Sequence, residues 1–146
     1  MLDKNAIMEL IPHREPFLLI DEIAELEPGV RVKAFKHLRI DESWYAGHFP
    51  GNPVTPGVLM LEMLAQAGAV CVLSMPENKG KTAYFAGLDG VKFKRMVLPG
   101  ETLTLEVEMT RMRSSVGIGE AVASVNGEKA VVAQMKFAFG DRRSET

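Results

Sequence analysis

One cysteine, Cys71, stands in 146 residues, so an intrachain disulfide is excluded. The opening Met1-Leu2-Asp3-Lys4 lacks the basic-then-apolar build of a secretory signal, and together with the lone thiol this predicts a reducing, cytoplasmic setting. No clean apolar run is long enough for a membrane span. The most apolar stretch, Val58 to Leu73, is broken by Glu62 and Gln66 and falls short of the roughly 18 residues a span requires. An excess of charge is missing too: Lys plus Arg number 17 against 19 Asp plus Glu, a formal net charge of −2. That balance argues against nucleic-acid binding driven by bulk charge, and any electrostatic partner site must be local. Histidine is scarce, at positions 13, 37 and 48 only, and with one distant cysteine these give no known metal-ligand spacing, so no metal is expected. Ser114 and Ser115 lack the elbow motif of a serine nucleophile. Internal repeats, low-complexity stretches and interdomain linkers are absent as well.

What is present is a chain with 47% hydrophobic and 25% charged residues, enough for a packed interior and the right length for one domain. The reading assigns residues 1–140 to a single domain and 141–146 to a flexible tail, the loosening beginning about Gly140. Asp3 caps a short helix over Asn5 to Leu10, stopped by Pro12 and Pro16. Phe17 to Leu26 reads as a strand, Pro28-Gly29 as a turn, and Val30 to Leu38 as a second strand. A loop rich in Gly and Pro, Gly47 to Gly57, precedes a long helix that begins with Thr55 as N-cap and Pro56 at the first helical position and runs to about Ser74. Beyond Met75–Gly80 the periodicity changes from 3.6 to 2. Leu103, Leu105, Val107 and Met109 alternate with polar residues, as do Val131, Ala133, Met135, Phe137 and Phe139. Val116 to Val125 lies between them and joins the last through Asn126-Gly127, the pair favoured in a two-residue type I′ turn. This predicts an α+β architecture: one helix, apolar on nearly every face, wrapped by a curved antiparallel sheet.

Glu62 sits among Met60, Leu61, Met63 and Leu64, where an ionised carboxylate is costly unless it is paired or takes up a proton. Gln66 follows one helical turn later, so the two polar side chains of this apolar run share a face. His48 lies in a loop whose backbone Pro50, Gly51 and Pro53 restrict, which suits holding one side chain in one pose. Gly57 falls at the second helical position, where its N–H lacks an intrahelical acceptor and no side chain obstructs a carbonyl oxygen. A base near neutral pH, an acid that burial favours in its protonated form and a donor for oxyanion charge suit proton removal beside a carbonyl with loss of a group further along. The spacing leaves open whether loop and helix meet within one chain or across a dimer.

The segment His48-Phe49-Pro50-Gly51-Asn52-Pro53-Val54-Thr55-Pro56-Gly57-Val58-Leu59-Met60-Leu61-Glu62-Met63-Leu64-Ala65-Gln66 closely resembles the active-site segment of beta-hydroxyacyl-acyl-carrier-protein dehydratases of the FabZ type. Ile11-Pro12-His13-Arg14-Glu15-Pro16-Phe17-Leu18-Leu19-Ile20-Asp21, Tyr84-Phe85-Ala86-Gly87, Val91-Lys92-Phe93-Lys94-Arg95 and Pro99-Gly100 match in the same order. The resemblance implies a hot-dog fold, a homodimer often assembled as a trimer of dimers (a homohexamer), and an active site at the dimer interface. It also implies an acyl chain carried on the phosphopantetheine of acyl carrier protein, with no metal or dissociable cofactor. In these terms His48 removes the alpha proton, Glu62 protonates the departing beta-hydroxyl, the Gly57 N–H holds the thioester oxygen and Gln66 orients the groups around Glu62. Tyr84 and Phe85 are implied to line the acyl tunnel. Glutamate rather than aspartate at position 62 favours the FabZ-like branch over the FabA-like one, which adds double-bond isomerisation. Glu15, Glu22 and Thr55 depart from residues common in the family, and Thr55 bears on tunnel shape.

Lys92, Lys94 and Arg95 form a basic strip beside Val91 and Phe93, which are expected to alternate inward, and acidic carrier proteins would be steered to such a strip. An ordinary solvated strand face is the plainer alternative. His13 and Arg14 are assigned to packing the opening segment, His37 has no evident partner, and Cys71 is inert core. Two competing readings stay open at this level. A thioesterase of the same fold would use the carboxylate to activate water, and a non-catalytic binding module would hold the acyl carrier without converting it.

Overall fold

The computed structural model describes residues 1–141. Helix α1 (Lys4–Leu10) starts where the Asp3 carboxylate accepts the Ala6 N–H at 2.9 Å, as its sequence predicts. Strands β1 (Glu22–Glu27) and β2 (Arg31–His37) form a hairpin around Pro28-Gly29. Gly29 has a φ of 75°, open to glycine at little cost, and its N–H reaches the Cys71 carbonyl at 3.0 Å, which pins the hairpin to the end of the long helix. The first strand is shorter than its sequence suggests. Phe17 and Leu19 spend their backbone groups on the Gln66 side chain, so the β1 ladder begins only at Glu22.

The long helix α2 (Gly57–Leu73) leads through a 3-10 turn (Pro76–Asn78) to β3 (Lys81–Phe93), β4 (Thr102–Met112), β5 (Val116–Val125) and β6 (Glu128–Asp141). The six strands make one antiparallel sheet in the order β1-β2-β4-β5-β6-β3. The expected meander is thus β4-β5-β6, while β3 adds at the far edge against β6. At the β5–β6 turn Asn126 and Gly127 have φ of 49° and 83°, both positive as a type I′ turn requires. Gly140 and Asp141 pair with Thr82 and Lys81, so the expected tail does not begin there, and residues 142–146 lie outside the described residues.

Helix α2 packs against β2 to β6. Met63, Leu64, Val70, Val72 and other side chains on all its faces are buried, each large apolar one contributing about 1.5–3 kcal/mol relative to exposure. Gly68 lets the helix approach the sheet: a Cβ there would overlap the Phe137 ring of β6. Two local expectations fail. Thr55 does not cap α2; Pro56 is the N-cap and Gly57 the first helical residue, because the buried Thr55 hydroxyl is engaged by the Tyr45 phenol at 2.7 Å. Phe93 does not enter the core but is 54% exposed, because on the edge strand β3 its ring lies against Gly57 in the exposed first turn of α2, and Val91 is only half-buried.

Candidate active site

The loop carrying His48 is closed by its own backbone. Val54 N–H donates to the His48 carbonyl at 2.8 Å, and Phe49 and Asn52 exchange bonds of 3.1 and 2.8 Å around Pro50-Gly51, where Gly51 takes a φ of 72°. The His48 Nδ1 lies 2.8 Å from the Val54 carbonyl oxygen, which only accepts, so Nδ1 carries the proton and Nε2 is left as the basic nitrogen. The Phe49 ring stacks on the imidazole with centroids 4.2 Å apart. Below the loop, the Tyr45–Thr55 hydrogen bond and the Thr55 N–H to Val97 carbonyl bond of 2.8 Å anchor it at the start of α2. Burial pushes the Tyr45 phenol up, so it serves here as a neutral hydroxyl.

On α2, Glu62 is the one residue between Met60 and Leu73 that is not fully buried, with 23% of its side chain exposed. Its Oε2 accepts a hydrogen bond from Gln66 Nε2 at 3.0 Å. Gln66 is entirely buried and satisfied: Nε2 also donates to the Phe17 carbonyl at 2.8 Å, and Oε1 accepts the Leu19 N–H at 2.8 Å. The shared face expected of Glu62 and Gln66 is therefore a direct contact. No hydrogen bond or ion pair joins His48 to Glu62 within the chain; Glu62 instead meets Gln66 and His13.

Gly57 begins α2, and its N–H has no acceptor inside the helix. The space on its Cβ side is filled, because a Cβ would come within 2.5 Å of the Phe93 ring; glycine is required there by the close approach of β3. Tyr84 and Phe85 lie exposed on β3, the Phe85 ring stacked on Phe137 at 6.2 Å. Lys92 and Lys94 are exposed and make no ion pair among the described residues. Arg95 leaves the expected basic strip: Glu101 at 2.6 Å and Glu128 at 2.8 Å neutralise it.

Arg14 packs the opening segment as expected, donating to the carbonyls of Met8, Ile11 and His13. His13 does not share that role. Its Nε2 is 3.8 Å from Glu62 Oε2, and burial, opposed by the Glu62 charge and aided by the Arg14 charge, holds the imidazole below its ordinary value. Its separation from Glu62 in the chain carries no periodic signal; the Gln66 bonds to Phe17 and Leu19, with the packing of Ile11 and Leu18 in the core, bring the two segments together. His37, without a partner in the sequence reading, is held by Thr102 at 3.1 Å and faces Glu22 at 3.7 Å.

A family model described as a FabA-like domain matches residues 11–135. A relative from Enterococcus faecalis named 3-hydroxyacyl-(acyl-carrier-protein) dehydratase FabZ is 58% identical over 134 residues, 92% of this chain and 95% of that protein. Relatives of the same name from Chloroflexus aggregans and Ligilactobacillus salivarius are 55% and 52% identical, covering 97% and 96% of this chain and 98% and 100% of theirs. Among solved structures, a chain of the dehydratase heterocomplex ApeI:P from Xenorhabdus doucetiae matches with a TM-score of 0.79 over 93% of this chain and 91% of that one. At 16% identity that likeness concerns the fold alone, and it agrees with a sheet curled around α2 in the hot-dog manner. Since more than half of the residues coincide with those relatives almost from end to end, the chain belongs to the FabA-like dehydratase family and, within it, to the FabZ type.

Proposed function

We infer that this chain is a hydro-lyase that dehydrates (3R)-3-hydroxyacyl thioesters of acyl carrier protein to trans-2-enoyl thioesters in fatty-acid elongation, a reversible step. The geometric observation that carries the reading is the orientation of Glu62: the one partly exposed position of α2 between Met60 and Leu73 holds a carboxyl fixed through one oxygen by Gln66. His48 Nε2 takes the alpha proton, and the electrons of that C–H bond form the double bond. The beta C–O bond breaks, its electron pair leaves with the oxygen, and Glu62 delivers the proton that makes water. The Gly57 N–H, at the positive end of α2, receives the charge that develops on the thioester oxygen. Phosphopantetheine is part of the substrate, and the chemistry needs no further cofactor or metal.

The site is completed by a second copy. Within one chain no hydrogen bond or ion pair joins Glu62 to His48, and Val58 of α2, 71% exposed, is accompanied by exposed Tyr84, Phe85, Leu88 and Phe93 on β3, whose outer edge has no strand partner among the described residues. Exposed apolar residues on a free sheet edge suit association with a like chain, and a dimer places His48 of one copy against Glu62 of the other. Three such dimers form the hexamer of this reading, and a cytoplasmic setting goes with it. Lys92 and Lys94 steer the acidic carrier protein, while Tyr84 and Phe85 line the path of the acyl chain.

Purified protein incubated with 3-hydroxyacyl carrier protein is expected to yield the carbon-2 enoyl thioester with the thioester intact. His48→Ala and Glu62→Gln each lower turnover by on the order of hundredfold or more. Near-normal turnover in either variant refutes the assigned roles, release of free thiol identifies a thioesterase, and binding without conversion identifies a carrier module.

A further inference from the structure

The two oxygens of Glu62 have different surroundings. Oε2 accepts from Gln66 Nε2 at 3.0 Å and faces His13 Nε2 at 3.8 Å, whereas Oε1 makes no hydrogen bond among the described residues. The other nitrogen of His13, Nδ1, is buried and has no hydrogen-bond partner among the described residues. A proton on Nδ1 would leave a buried N–H without an acceptor, and a doubly protonated ring would add a charge to it. The favoured form is the neutral ring with its proton on Nε2, directed at Glu62. The downward displacement of the His13 imidazole by burial agrees with this.

We propose that His13 is a positioning residue for Glu62: together with Gln66 it directs N–H groups at Oε2, which commits Oε1 to carry the acidic proton and to face the substrate. The inference rests on the dehydratase reading and deepens it. A carboxylic acid whose Oε2 receives donors has its carbonyl character there and its O–H on Oε1. When Oε1 passes that proton to the departing hydroxyl, the beta C–O bond breaks with its electron pair on oxygen and water leaves. The new negative charge then spreads to Oε2, where two N–H groups meet it. Charge-assisted bonds are shorter than neutral ones, so the 3.8 Å approach contracts as charge grows, and His13 keeps its own proton throughout.

Two measurements on the full-length protein test this. Imidazole nitrogen chemical shifts of the wild type, assigned by through-bond correlation to the His13 backbone, are expected to show a neutral ring protonated on Nε2 near neutral pH. A proton on Nδ1, or a charged ring, overturns the proposal. Kinetically, His13→Gln places an amide N–H where Nε2 lies, while His13→Asn reaches only the Nδ1 position. The asparagine variant is expected to lose about tenfold in kcat with 3-hydroxyacyl carrier protein at an unchanged KM, and the glutamine variant to stay within about threefold of wild type. Equal losses in the two variants, or a loss confined to KM, overturn it. Combined with Glu62→Gln, His13→Asn should cost nothing further. If Glu62→Gln abolishes turnover while His13→Asn does not reduce it, only the role of His13 falls; if Glu62→Gln itself stays active, the dehydratase assignment of Glu62 falls with it.

Discussion

From Ala67 to Leu73, α2 is enclosed by its own chain on every side, whereas its first turn, around Gly57 and Val58, faces outward beside Phe93 and the edge of β3. In the enclosed half, volume decides identity: Gly68 is there because Phe137 occupies the space a methyl group would need. At the open end the groups with chemistry gather, and their apolar neighbours have no cover from within the chain. The contrast separates a half whose cover comes from this chain from one whose apolar side chains stay exposed on it.

The largest effect should come from mixing two inactive proteins. In a dimer-spanning site, one of the two sites in a His48→Ala and Glu62→Gln heterodimer keeps both wild-type groups, so random reassociation should restore about a quarter of wild-type turnover. No recovery in a mixture shown to contain heterodimers would place the whole site within one chain. Next in size, Gly68→Ala should destabilise the enclosed half by about 1–3 kcal/mol through overpacking against Phe137 and lower the urea midpoint, while activity per folded molecule is unchanged. Thr55→Val leaves the buried Tyr45 hydroxyl unpartnered and should cost about 1–3 kcal/mol, whereas the double change with Tyr45→Phe should cost less than the single one; denaturant midpoints of the three variants decide it.

Smaller still is a dependence on pH. Because burial holds the folded His13 imidazole below its ordinary 6.5, the unfolded chain binds a proton at higher pH than the folded one. The stability contributed by this group is complete above 6.5 and declines as pH falls through 6.5 toward the lowered folded value. The difference in urea midpoint between wild type and His13→Gln should follow that course, and a difference that grows in the opposite direction would contradict it. Least of all, Cys71, its thiol pushed up to about 11 by burial, should resist iodoacetamide in the folded protein and react only on unfolding.

The same contrast explains what the sequence made legible. The buried helix and the alternating strands β4 and β6 follow from local pattern because each is covered on its apolar face by this chain, and the exposed Asn126-Gly127 turn follows because its two positive φ angles suit that residue pair. The burial expected of Phe93 failed because alternation shows which face a side chain takes, not how far it is covered, and at the edge strand β3 it meets only the exposed first turn of α2. Thr55 carries every local mark of an N-cap, yet the nearby Tyr45 hydroxyl, buried and in need of a partner, takes it instead. At the site, the pairing of Glu62 with Gln66 was readable from helical spacing, whereas His13 was not: its approach to Glu62 depends on a long-range bond between a side-chain amide and the backbone of a distant segment.

That bond has a practical corollary. Since one glutamine clasps both the backbone at Phe17 and Leu19 and the acid on α2, trimming the chain from its front as far as residue 20 would strip Gln66 of both backbone partners, and the core of Ile7, Ile11, Leu18 and Ile20, without removing a single proton-transferring group.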